Sequence, residues 1–195
     1  MKSILSRVIL GLAILSVFVL HVYAHHGMQF LNQAMEMNTA EVQVGEMAMS
    51  KAQDSRVRDF AEIIVRDHNQ ALDKIRMLRD DRLKSTTAPN NSKRDVQINA
   101  EHKRLSDRLS KLSGADFDRE FMAAMVREHR AAIRAFELHS HAHGYGRNSN
   151  TSSNVDYAKD TDTAAFATET LPTLRQHLDK AEQIQREMRG TTTTQ

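Results

Sequence analysis

Three histidines and one glutamate in this chain of 195 residues stand where an amphipathic helix normally places Leu or Ile. His68 falls between Ile64 and Leu72, His129 between Met125 and Ile133, His177 beside Leu178, and Glu41 between Met37 and Val44. Each lies on the apolar stripe of a 3.6-residue period, one on each of four long helices. A single inward histidine ordinarily hydrogen-bonds a nearby carbonyl or carboxylate and does nothing more. Four such positions together pose a problem of charge, because an ionised carboxylate is costly to bury unless it meets a cation or several donors. Two arrangements answer it. Glu41 and the histidines form a hydrogen-bonded polar layer that fixes helix register, or they bind one metal. Neutral imidazoles with a carboxylate suit Zn, Fe, Mn or Cu, and the facing helices of a bundle are where such sites are built. A metal-dependent oxidase is a third reading and needs both a redox metal and an open coordination position; no catalytic residue is identified.

The helices that must carry these residues are legible from periodicity. Phe30, Ala34, Met37, Val44, Ala48 and Ala52 mark a first helix over Met28 to Ala52. Asp54-Ser55 breaks it and caps the second, Ser55 to Leu83, whose stripe runs from Val57 through Ile64 and Leu72 to Leu78. So short a connection makes the two helices antiparallel neighbours. Glu41 lies 13 residues before Asp54 and His68 lies 14 after it. At about 1.5 Å per residue, the two side chains reach nearly the same depth. A polar loop from Lys84 to Arg94 then leads to a shorter helix, Asp95 to Leu112, with His102 near its thin apolar edge. Ser113-Gly114 stops it, and a long helix follows from Asp116 to about Ala142, with Phe117, Phe121, Met125 and Phe136 on the His129 stripe. After a Ser/Asn/Thr-rich loop to Asn154, the last helix begins near Asp160 or Asp162 and is interrupted or restarted at Leu171-Pro172. Gly190 and the Thr-rich end stop it. No strand pattern and no internal repeat appear.

The start of the chain reads as a secretory leader over residues 1–24. Lys2 and Arg7 precede an apolar run from Val8 to Leu20, and Val22-Tyr23-Ala24 is a cleavage site of the A-x-A type. The run is shorter than the roughly 20 residues of a membrane span, so no transmembrane segment is expected in the mature chain. No cysteine follows it, which excludes a lipoprotein anchor. Residues 25–190 then form one domain and 191–195 a disordered tail. The chain has 27 basic and 25 acidic residues, and losing Lys2 and Arg7 balances them. A neutral mature chain does not fit a nucleic-acid partner, which demands a basic face. With no cysteine there is neither a disulfide nor a thiolate metal site. The expected location is the periplasm, peripheral to the outer membrane; protein partners are not indicated.

Weaker candidates are the His139, His141, His143 cluster, the His25-His26 pair, and the methionines of the first helix, Met28, Met35, Met37, Met47 and Met49, which core filling explains better than Cu(I) binding. Asp67 and Glu128, each just before an inward histidine, read as solvated, with orientation of that histidine as the other option. Asp118 lies about 16 Å along the helix from His129, too far to share its metal. There is no nucleophile elbow, phosphate-binding glycine loop or H-E-x-x-H.

The strings AEVQVGEMA (Ala40 to Ala48), VRDFAEIIVRDHNQAL (Val57 to Leu72), GADFDREFMAAMVREHRAAIRAFE (Gly114 to Glu137) and LPTLRQHLDKA (Leu171 to Ala181) resemble an exported bacterial family of domains of unknown function, often labelled as outer membrane proteins. The resemblance spans Gln29 to about Met188. It implies an all-α, ferritin-like antiparallel four-helix bundle with one additional short helix, and marks Glu41, His68, His129 and His177 as the recurring polar positions. It supplies no activity. Di-iron members of the wider superfamily use Glu-x-x-His on two helices. Here Val65 and Val126 stand three residues before His68 and His129, so one metal, not two, is expected.

Overall fold

The computed structural model describes residues 2–84, 98–142 and 154–191, with side chains over 27–84, 98–141 and 161–190. Five helices and no strand occur among them: α1 (Lys2–Lys51), α2 (Ser55–Lys84), α3 (Ala100–Ser110), α4 (Gly114–Ala142) and α5 (Asn154–Thr191). The four long helices form the expected antiparallel bundle. α1 pairs most extensively with α2, and α4 with α5. α3 is the short addition, lying against α1 and α4.

The α1–α2 connection is as tight as the sequence implies. Asp54 caps α2 by accepting from the Arg56 amide at 2.9 Å. The turn is held from across the bundle by Asp118 on α4, whose two carboxylate oxygens accept from the amides of Gln53 and Asp54 at 3.1 and 2.8 Å. Asp118 is buried, and its distance from His129 is consistent with this separate structural task. Farther along, α1 and α2 approach closely at Gly45, where an added Cβ would lie 2.8 Å from Val65 Cγ2. A larger side chain there would push apart the two helices that carry Glu41 and His68.

Four boundaries differ from expectation, the plainest being the start of α5 at Asn154 instead of near Asp160 or Asp162. α1 runs unbroken from Lys2, so the first helix extends well before Met28; the side chains of 1–26, including His25 and His26, lie outside the described residues. α3 starts at Ala100 because Asn99 caps it, accepting from the amides of Glu101 and His102 at 2.9 and 3.0 Å. Residues 85–97, which include most of the polar loop and the expected start at Asp95, are also outside the description, as are 143–153 and the tail from 192. α5 does not restart at Pro172; it passes straight through. Pro172 and Thr168, whose carbonyl loses its ladder donor, both face solvent, where water can satisfy that oxygen.

The apolar interior is two clusters. One contains Val44, Ala48, Val57, Phe60, Phe117, Phe121, Met125 and Ile184. The other contains Phe30, Leu31, Leu72, Ile75, Phe136, Phe166 and Leu174. On every long helix the polar position falls between its contributions to the two: Glu41 on α1, His68 on α2, His129 on α4 and His177 on α5. The four residues make one polar layer across an otherwise apolar core.

Candidate metal centre

All four residues of the layer are buried, with Glu41 3%, His68 5%, His129 0% and His177 4% exposed. One ring nitrogen from each of His68, His129 and His177 lies within 4.8 Å of the other two, so this buried group could hold a metal ion. Glu41 adjoins them: its Oε2 is 2.8 Å from His68 Nε2 and 3.6 Å from His129 Nε2. His129 Nε2 and His177 Nδ1 are 3.2 Å apart. A tetrahedral metal with bonds of about 2.1 Å keeps its ligand atoms about 3.4 Å from one another. These spacings bracket that value.

The outer nitrogens decide which inner atoms carry lone pairs. His129 Nδ1 faces the Met125 carbonyl at 2.9 Å, and a carbonyl only accepts, so Nδ1 holds the hydrogen and Nε2 is bare. His177 Nε2 donates to Asp67 Oδ2 at 2.9 Å, which leaves Nδ1 bare. Asn38 Nδ2 donates to the Ala34 carbonyl, so its Oδ1 is turned to accept from His68 Nδ1 at 2.8 Å. His68 Nε2 is therefore bare as well. Three lone pairs and a carboxylate oxygen converge, and His129 and His177 cannot hydrogen-bond each other as neutral rings. Four buried side-chain atoms among the described residues lack a hydrogen-bond partner, and two of them are Glu41 Oε2 and His68 Nε2, close together but not aligned as donor and acceptor.

Charge tells the same story. Burial raises the Glu41 carboxyl, but the neighbouring His129 and His68, with a smaller part from His177, outweigh it and hold it down to about 2. Burial pushes His129 below its ordinary value despite the pull of Glu41. It pushes His177 down to about 4, more than the Asp67 bond restores. With both of these rings pushed down by burial, a divalent cation in the layer would supply the positive charge that a buried carboxylate needs. Asp67, half-buried, is pushed up by burial but held below the usual carboxylate range by hydrogen bonds from Arg66 and His177, so it adds a second negative charge just behind His177.

A second cluster was not legible as such. Glu36, buried one turn before Ala40, receives His102 Nδ1 at 2.6 Å and the Asn99 amide at 2.8 Å, while His102 Nε2 meets Glu128 Oε2 at 3.2 Å. His102 is thus clamped between two carboxylates, and both ring nitrogens are donors. The solvated reading of Asp67 and Glu128 is overturned: each holds a histidine, Asp67 one on α5 and Glu128 one on α3. His139 is no surface metal ligand; it stacks on Phe30 with centroids 3.8 Å apart and its Nε2 is 2.9 Å from Thr163 Oγ1. His141 is exposed and His143 lies outside the described residues.

Comparison with known proteins places this architecture. A family model described as "Domain of unknown function (DUF4142)" matches residues 22–184. Among solved structures, the chain is similar to a DUF305 fragment from Deinococcus radiodurans with a TM-score of 0.60 and 15% identity, covering 83% of this chain and 95% of that one. At that identity the likeness is one of fold. No curated protein matches the chain. No helix among the described residues is long and apolar enough to cross a membrane.

Proposed function

The chain belongs to the DUF4142 family of domains of unknown function, and on that footing we propose that it is an exported bacterial envelope protein whose core binds one transition metal through Glu41, His68, His129 and His177. The observation that carries this reading is the convergence of bare nitrogens: each histidine spends its N–H outward, on Met125, Asp67 or Asn38, and turns a lone pair inward. A divalent ion would satisfy those lone pairs and, with Glu41 and Asp67, leave the layer close to neutral. Zn, Fe, Mn and Cu all accept this donor set. The leader read over residues 1–24 supports export and a periplasmic location.

The test is elemental analysis of the untagged mature protein from the periplasm, beside a His68→Ala/His177→Ala variant. The expected result is about one metal per chain, absent from the variant. A folded protein that is metal-free and has no affinity for Zn, Mn, Fe or Cu overturns the proposal and makes the layer a register device instead. Under that alternative, replacing all four residues by apolar ones leaves the bundle intact or firmer.

A further inference from the structure

The four-residue layer does not close on itself. A cavity of about 30 Å³ abuts it, with Glu41, His68 and His177 forming part of its lining and Ala71, Ala132 and Leu174 supplying apolar wall. His129 is not part of that lining, so the opening is on one side of the layer. A water needs about 10–15 Å³ of such space, which leaves room for roughly two. Of the cavity's other polar neighbours, Asn38 is engaged with His68 and the Ala34 carbonyl, Asp67 with Arg66 and His177, and Thr170 with the Phe166 carbonyl; the Thr173 hydroxyl completes the polar lining. A molecule lodged there finds its strongest partner at the centre itself.

We propose that this cavity is the open coordination position of the metal, and that it admits an exogenous ligand of two or three heavy atoms, of the class of peroxide, dioxygen or azide, in exchange for water. The inference rests on the metal reading and goes beyond it. A purely structural metal is enclosed by protein ligands, whereas one that keeps a place for water or substrate is equipped to react. The size of the cavity sets the class: no organic substrate of ordinary dimensions reaches the metal without the helices moving apart.

The experiment loads the mature full-length chain with Cu(II), measures copper stoichiometry, and titrates with azide while following the azide-to-copper charge-transfer band. The expected result is a saturable band at one azide per copper. Ala71→Val places two methyl groups in the cavity and should weaken azide at least ten-fold with copper stoichiometry and helix content unchanged, while Ala71→Ser should bind azide as the parent does. Ala132→Val takes the place of Ala71→Val if the latter does not fold. One copper per chain with no azide-dependent band, or undiminished azide binding in a folded, copper-loaded plugged variant, overturns the open position and leaves the metal site standing. Failure to bind any metal overturns both.

Discussion

His102 and the trio of His68, His129 and His177 place one side-chain type in opposite electrostatic company. His102 has a carboxylate at each nitrogen, Glu36 and Glu128, and the bond from Glu128 followed by that from Glu36 raises it to about 9 against the cost of burial. It is a cation at neutral pH, and its work is to pin α3 to α1 and α4. In the trio each outer nitrogen has its own acceptor, Asn38, Met125 or Asp67, while the inner nitrogens share the single carboxylate of Glu41, and burial drives His129 and His177 the other way. A histidine bracketed by carboxylates is mechanically useful and chemically spent. One that donates on a single side retains a lone pair for a metal.

Metal removal separates the two regions most strongly. Stripping the metal with a chelator should lower the unfolding free energy by about 4 kcal/mol at a thousand-fold excess of metal over its dissociation constant. Denaturant titration should find the same drop in His102→Ala and none in His68→Ala/His177→Ala. A chelator effect that survives in the double variant would put the metal elsewhere.

Next in size is the clamp. Glu36→Ala removes one side of a buried pair and also an acceptor for the Asn99 amide, and should cost about 3 kcal/mol in urea unfolding with metal content unchanged. Loss of metal in that variant would mean that the two clusters are not independent. Asp67→Ala is the converse. It frees the outer nitrogen of His177, and isothermal titration should show metal affinity reduced 10- to 100-fold with a smaller change in stability.

The smallest effect is a pair of opposite pH slopes in the metal-free protein. His102 binds its proton more tightly when folded, so its contribution is full below about 6.5 and is lost as pH rises through about 9. His177 binds its proton more weakly when folded, so its contribution is present above about 6.5 and is lost as pH falls towards about 4. Equilibrium unfolding across both windows should show stability falling at each end. His102→Gln should flatten the alkaline side alone.

How far the sequence anticipates this depends on where counting is possible. Glu41 and His68 flank a turn of a few residues, so their common depth follows from helical rise alone, and their 2.8 Å separation agrees. His177 is reached only across 143–153, where no such count holds; its place emerges from the packing of α4 on α5. The partners were harder. Asp67 and Glu128 point away from their own helix's stripe, and a helical wheel assigns that direction to water. In a bundle the flanks of neighbouring helices cover it, α5 over Asp67 and α3 over Glu128. Glu36 and Asn38 were hidden for a related reason: they sit near the edge of α1's stripe, and only the arrival of α3 and α2 turns an edge into an interior. The restart expected at Pro172 failed because a missing hydrogen bond ends a helix only when nothing else satisfies the carbonyl.

That unbroken passage through Pro172 has a consequence for rates. The proline stands five residues before His177, and the turn it interrupts includes Thr170, which borders the cavity together with Thr173 and Leu174. With one rung gone from its ladder, this turn of α5 is expected to open more readily than the turns of α5 that follow it. Amide hydrogens of 169–171 and 173 should exchange faster than those over 177–184, and the same opening would govern how quickly a small molecule enters or leaves the core. Affinity at the centre would then be set by its ligands, and Pro172→Ala should lengthen the residence time of a bound small molecule without changing its affinity.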